Sequence, residues 1–165
     1  MPACSGRVKK LEVQTIGLIS DTHGLVRQEA LDALAGVDLI IHGGDIGAPE
    51  VIEALQRIAP VIAIKGNNDR QPWAKSIPDT QSVTANKVKL YIIHNLNELD
   101  FDPSARGIQV VISGHSHKPS IVSRKGVLYV NPGSAGPRRF KLPIAIAKLK
   151  IQGTNPKAKI LELKI

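Results

Sequence analysis

The chain has 165 residues, 42% of them hydrophobic, 22% charged and only 3% aromatic, with a net charge of +8. That length supports one domain with a core of Ile, Val, Leu and Ala and no need of disulfide staples; no run approaches the ~18 apolar residues of a membrane helix. The single Cys4 cannot form an internal disulfide, so a reducing cytoplasm is the expected compartment and no membrane is expected as a partner.

Residues 1–14 carry Arg7, Lys9 and Lys10 but no following apolar stretch of the kind a signal peptide needs. They read as a flexible lead to a domain spanning 15–165. Thr15 to Ser20 reads as a buried strand that ends in Asp21-Thr22-His23-Gly24. Glu29 to Leu34 is a short helix stopped by Gly36. Val37 to His42 is a second strand leading into Gly43-Gly44-Asp45. Pro49 suits the first turn of a helix whose apolar face is Val51, Ile52, Leu55 and Ile58. Val61 to Ile64 is a third strand, emptying into Gly66-Asn67-Asn68-Asp69. This β-α-β-α-β order argues for parallel strands and right-handed crossovers, with ligands expected beyond the carboxyl ends of the strands.

After Pro72 the pattern changes. Gln81 to Thr84 and Lys87 to Ile93 read as a strand pair turning near Ala85-Asn86, and the second strand ends at His94. Residues 95–107 form a loop with a short helix. Val110 to Ile112 leads to Gly114-His115-Ser116-His117. Ile121 to Ser123 and Val127 to Val130 make a hairpin, followed by the turn Asn131-Pro132-Gly133-Ser134. Ile144 to Ile151 and Lys159 to Ile165 alternate around Gly153-Thr154-Asn155-Pro156. Two sheets packed face to face, with helices outside, account for both halves.

Charge is uneven: from Lys118 to Ile165 eleven Lys or Arg face one acid, Glu162. A polyanionic partner is one reading. Solvated strand faces, where Lys discourages edge-to-edge pairing, are the other and the preferred one, because stacking aromatics are nearly absent.

The chemistry concentrates at strand ends. Asp21 and His23 share one side of a turn, Asp45 offers a second carboxylate, and Asn67 offers an amide oxygen. His94, His115 and His117 add nitrogens. These seven N and O donors, without thiolate, suit Mn²⁺, Fe, Zn²⁺ or Ni²⁺. Shared through a bridging Asp45, they can supply two metals. Singly, each signal has a plain structural explanation: a turn, a chance pair, a hydrogen-bonded core histidine. For His42, inside its apolar run, the core explanation is preferred. The placement of four of the five histidines, both aspartates and the asparagine at strand ends has no such explanation.

The series Asp21-x-His23, Gly44-Asp45, Gly66-Asn67-x-Asp69, His94 and Gly114-His115-x-His117 resembles the calcineurin-like metallophosphoesterase superfamily. The small size and the trailing Asn131-Pro132-Gly133-Ser134 resemble its compact YfcE-type phosphodiesterase branch. The resemblance implies an α/β (α+β by some schemes) four-layer αββα sandwich, with two mixed central sheets flanked by helices. It implies two divalent ions, Mn²⁺ foremost. Asp21, His23 and His117 would hold the first, Asn67, His94 and His115 the second, and Asp45 would bridge them. A bridging hydroxide would attack phosphorus between cations ~3.5–4 Å apart. Two positions depart from the pattern: Asn68 stands where many members have His, and Asn95 where Gly often follows the His94 position. Asn68 and Asp69 are the catalytic candidates. Asn68 can donate to a phosphoryl oxygen but cannot deliver a proton, and Asp69 orients its own turn or a neighbouring side chain. Arg70, Lys118, Arg138 and Arg139 follow site motifs and face either substrate phosphate or solvent.

The expected activity is therefore a metal-dependent phosphodiesterase acting on a phosphate ester. The alternatives are a binding scaffold of the retromer-subunit type on the same fold, and a metal-dependent nuclease, for which the basic second half leaves room. An oligomer is compatible with all three. Nucleotide-triphosphatase, dinucleotide and zinc-protease motifs are absent.

Overall fold

The computed structural model describes residues 13–165. Cys4 and most of the expected lead lie outside the described residues. Val13 and Gln14, read with the lead, open the first strand, β1 (Val13–Ile19), opposite Gln152 and Ile151. The chain continues through α1 (Gln28–Ala33), β2 (Leu39–His42), α2 (Pro49–Gln56) and β3 (Val61–Ala63). The three strands are parallel, with Ile16 beside Leu39 and Ile40 beside Val61. Both helices are short, at six and eight residues. Each has only to link two neighbouring parallel strands and bury a single apolar face against the sheet.

The second half supplies β4 (Thr80–Ala85), β5 (Val88–Ile93), β6 (Ile108–Ile112), β7 (Ser120–Arg124), β8 (Val127–Asn131), β9 (Ala145–Gln152) and β10 (Asn155–Glu162). The strands form two five-stranded sheets, ordered β10-β9-β1-β2-β3 and β4-β5-β6-β8-β7. The second sheet is not built of hairpins alone, since β5, β6 and β8 run parallel. Each sheet thus holds a parallel triplet, and residues following both triplets meet at one end of the sandwich.

Period-two burial explains the central layer. Ile16, Leu18, Ile41, Leu149 and Ile151 of the first sheet interlock with Val88, Leu90, Ile92, Val110 and Ile112 of the second. The opposite face of the first sheet, with Ile19, Ile40 and Ile146, packs under Ala30, Leu34, Val51 and Leu55 of the helical layer. Outside the second sheet, Ile93, Ile108, Val111 and Val127 are covered by two 3-10 turns, Leu96–Glu98 and Pro103–Arg106, and by Phe101. The four layers are present, with the outer one on this side reduced to single turns. Among the described residues, no helix is long and apolar enough to cross a membrane.

Two turns differ from expectation. The β4–β5 turn lies one residue later, at Asn86-Lys87, both with positive φ (49° and 69°). That is the two-residue hairpin turn whose twist matches its strands. The last hairpin turns at Gly153-Thr154, so Asn155 and Pro156 are already in β10. A strand accepts Pro156 there because β10 is an edge, where a missing N–H leaves no partner unpaired.

Candidate metal centre

The loops leaving β1 and β2 continue the parallel pairing past the strand ends. Asp21 N–H donates to Gly44 O (2.9 Å), His23 N–H to Asp45 O (3.0 Å) and Gly24 N–H to Ile46 O (2.7 Å). In the second sheet Gly114 N–H on His94 O (3.0 Å) extends the β5–β6 pairing in the same way, and Ala135 N–H on Ser20 O (3.1 Å) ties the segment after β8 to the end of β1. Five expected ligands, Asp21, His23, Asp45, His115 and His117, adopt left-handed φ between 48° and 70°. Among the described residues, the other non-glycine positions with positive φ are Asn86, Lys87, Lys125 and Phe140, three in hairpin turns and one in an exposed loop. Such backbone is unfavourable for residues with a Cβ and persists where surrounding contacts enforce it.

Asp21 is fully buried. Its Oδ2 accepts from Ser20 Oγ (2.7 Å) and His115 N–H (3.0 Å). Its Oδ1 has no hydrogen-bond partner and lies 3.5, 3.8 and 3.9 Å from the Nε2 atoms of His117, His94 and His23. Asp45 is held by Asn68, whose N–H donates to Oδ1 (2.9 Å) and whose Nδ2 donates to Oδ2 (3.1 Å). Asp45 Oδ2 also lies 3.3 Å from His94 Nε2 and 3.8 Å from His23 Nε2. His94 donates from Nδ1 to Gly43 O (2.7 Å), which turns Nε2, buried and without a hydrogen-bond partner, toward the carboxylates. His23 and His117 face each other through Nε2 atoms 3.4 Å apart.

These spacings fit cations. Two donors on one tetrahedral ion with ~2.1 Å bonds stand about 3.4 Å apart. The separations of 3.3 to 3.9 Å match that edge better than they match hydrogen bonds. Two groups share Asp21: Asp21, His23 and His117, and Asp21, Asp45 and His94. Unpartnered buried atoms that all point into one small volume mark a place for an ion.

Charge bears on the same conclusion. Burial raises Asp21 above its ordinary 3.8, outweighing His94, Ser20 and His117, which pull it down. For Asp45, burial is outweighed by His94, the Asn68 N–H and His23, and its carboxyl lies below the usual range. Burial opposes protonation of His94, but Asp45, Gly43 O and Asp21 raise it above 6.5. Burial lowers His117, with Arg139 and His23 adding to that effect. Bound cations would replace protons as the partners of both carboxylates.

Asn67 and His115 are brought to the rim, not into the tight cluster. Both are exposed, and with His94, Asn95, Lys65 and Glu98 they line a cleft of about 320 Å³. The His115 ring meets His94 edge-on at 5.3 Å. Asp69 is buried and accepts from Ile46, Gly47 and Gly66 N–H (2.9, 3.0 and 2.9 Å), so it locks the Asp45 loop to the Asn67 loop. Gly66 is needed here, because a Cβ would fall on the Asp45 carboxylate. Asn95 accepts from Asn97 N–H (3.0 Å) and so starts the 3-10 turn beside the cleft. Arg70 donates to Asn67 O (3.0 Å), and Arg138 to Leu142 O (3.2 Å).

His42 is a core residue. Its Nδ1 accepts from Gly44 N–H (3.1 Å), its Nε2 meets Thr22 Oγ1 (3.0 Å), and Thr22 Oγ1 donates to Ile46 O (2.9 Å). Burial lowers it to about 4. Sequence reasoning missed Ser20 and read Asn131 to Ser134 mainly as a turn. In the fold Asn131 Nδ2 donates to Gly114 O (2.9 Å) and Ser116 Oγ (3.1 Å), and Ser134 Oγ donates to Asp21 O (3.0 Å). The available signal was position: Asn131 stands at the end of a strand, as the candidate ligands do.

Residues 15–154 match the model of the calcineurin-like phosphoesterase superfamily domain. A probable metallophosphoesterase of Methanocaldococcus jannaschii is 34% identical over 150 residues, covering 83% of this chain and 76% of that protein. A phosphodiesterase of the same organism is 30% identical over 136 residues, covering 72% and 82%. Among solved structures, a predicted phosphoesterase from Streptococcus pneumoniae superposes with TM-score 0.69 at 25% identity, covering 91% of this chain and 90% of that one. Vacuolar protein sorting 29 of Cryptosporidium parvum superposes with TM-score 0.74 at 18% identity, covering 93% and 99%, a likeness of fold.

Proposed function

Because the chain belongs to the calcineurin-like phosphoesterase superfamily and is a metal-dependent phosphoester hydrolase, we propose that it is a phosphodiesterase working through two divalent cations. The observation that carries this reading is the inward set of donors at ligand-to-ligand spacing, with Asp21 Oδ1 and His94 Nε2 buried and otherwise unpartnered. Asp21, His23 and His117 would hold one cation, and Asn67, His94 and His115 the other, with Asp45 between them. Mn²⁺ is the first choice among the metals this donor set suits. A cytoplasmic setting agrees with the single cysteine.

When bound, the cations supply Lewis acidity and an activated water for in-line attack at phosphorus. The chain's own residues fix the arrangement. Ser20 and the His115 amide hold one oxygen of Asp21, so the other is presented to the ligand position. Gly43 O fixes the His94 tautomer. Asn68 steadies Asp45, and Asp69 holds both loops at their working separation. The substrate's phosphate would enter the cleft beside Asn67 and His115.

The test is hydrolysis of an aryl phosphodiester by metal-stripped protein with and without Mn²⁺, beside Asp45→Asn. Turnover should require the metal and fall on the order of 100-fold or more in the variant, since even outer partners of ligands contribute 10–100-fold. No turnover with any divalent metal, in protein that still folds, would favour the scaffold reading.

A further inference from the structure

A broad groove lies toward the end of β1 opposite the metal centre, and four lysines line it. β9 and β10 pair in a register that sets Lys148 opposite Lys159 and Lys150 opposite Lys157. Side chains of directly paired residues project on the same face, so the four ammonium groups form a two-by-two grid. Lys148 is half-buried and the other three are exposed. Thr15 of β1 and the Ala35-Gly36-Val37 bend after α1 close one side, enclosing about 560 Å³. β1 runs from Thr15, beside Lys150, through Gly17, beside Lys148, toward Asp21, so the two rungs of the grid lie about 20 and 13 Å along the strand from the candidate metal ligands at ~3.3 Å per residue.

Like charges directly opposite on paired strands are destabilising. Nothing among the described residues relieves them, since the only lysine paired with a carboxylate there is Lys65, with Asp79. Asp38, beside Val37, accepts from the Thr15 N–H through Oδ2 (2.8 Å). Protection of an exposed edge accounts for Lys157 and Lys159, because β10 ends its sheet. It does not account for Lys148 and Lys150, because β9 has a strand on either side.

We propose that this groove binds a polyphosphate chain, either free or as the phosphate tail of a nucleotide. The two rungs of the grid are ~6.7 Å apart, and the ammonium pair within each rung starts from Cβ atoms ~5 Å apart. Several negative charges must therefore fall within a short span, as they do in linked phosphates. The groove is closed on one side, which favours a compact anion over a long strand. No aromatic ring lines it, so there is nothing on which a base could stack. The site is separate from the metal centre and does not depend on its chemistry.

The experiment is calorimetric titration of tripolyphosphate into metal-stripped protein at low salt. One equivalent should bind, and Lys150→Gln/Lys157→Gln should weaken it by at least about tenfold. The unliganded double variant should melt no lower than the native protein, because a repulsive pair has been removed; this separates loss of binding from loss of fold. Asp45→Asn should bind as the native protein does. Adenosine triphosphate should bind within about threefold of tripolyphosphate. Undiminished binding by the double variant, binding lost in Asp45→Asn, or orthophosphate binding as tightly as tripolyphosphate would overturn the proposal. So would affinity for a single-stranded oligonucleotide that keeps rising with length while tripolyphosphate binds poorly.

Discussion

Asn68 touches Asp45 at two points, and this changes what its substitution should do. In the sequence it reads as a donor to phosphoryl oxygen. In the fold its N–H and its carboxamide both serve Asp45 (2.9 and 3.1 Å). A residue that acts through a ligand affects all substrates alike, whereas a residue on the phosphoryl group or leaving oxygen shifts selectivity among them. Asn68→Ala should lower turnover about 10–100-fold on aryl and alkyl diesters together and leave their ratio unchanged. In the native protein aryl esters should react on the order of 100-fold faster or more, the usual worth of general-acid catalysis, which Asn68 cannot supply. A ratio that changes in Asn68→Ala, measured with an aryl and an alkyl diester of matched charge, would place Asn68 on the substrate instead. Asp21 shows why residue type alone was not enough to read the site. The sequence marks it as a ligand, but which oxygen is free depends on Ser20 and the His115 amide, one adjacent and one 94 positions away.

The strands, their order in the first half and the strand-end placement of the candidate ligands were legible, because apolar runs stop abruptly at polar clusters. The parallel run of β5, β6 and β8 was not, since hydrophobic alternation is the same for either direction and β7 intervenes in the chain between β6 and β8. Pro156 looked like a turn residue because its tolerance depends on lying at an edge, and edges are set by the whole sheet. His42 was legible as core, and it gives the loops after β1 and β2 a pH-dependent tie. Burial lowers it from 6.5 to about 4 against the pull of Asp69 and Asp45, so the folded protein keeps it neutral while the unfolded chain protonates it below 6.5. Its contribution is therefore fully present above 6.5 and is lost as pH falls toward about 4. At about 1.4 kcal/mol per pH unit the loss reaches about 3 kcal/mol. Urea unfolding of metal-free protein between pH 7 and 4.5 should show this slope, and His42→Gln should flatten it. Parallel slopes in the two proteins would mean that His42 is protonated in the fold.

At the scale of the molecule, the centre joins two sheets that otherwise meet through an apolar layer. Asp21, His23, Asp45 and Asn67 follow strands of the first sheet, and His94, His115 and His117 follow strands of the second. Without cations this end of the sandwich brings buried carboxylates and unpartnered imidazole nitrogens together, and burial has raised Asp21. Cation binding should therefore stabilise the whole fold and not a loop alone, since unfolding would separate every donor. At a free concentration 100 times the dissociation constant the gain is about 2.7 kcal/mol, which for a chain of this size shifts the melting temperature by about 5–10 °C. Asp45→Asn removes a carboxylate whose ionised form His94, the Asn68 N–H and His23 stabilise, so its metal-free melting temperature should lie somewhat below that of the native protein, while most of the metal-induced shift disappears. The comparison needs no substrate and separates the metal site from the activity built on it. An equal shift in both proteins would put the cation elsewhere; no shift with Mn²⁺, Fe²⁺, Zn²⁺ or Ni²⁺ would mean that the cluster holds protons and not metal.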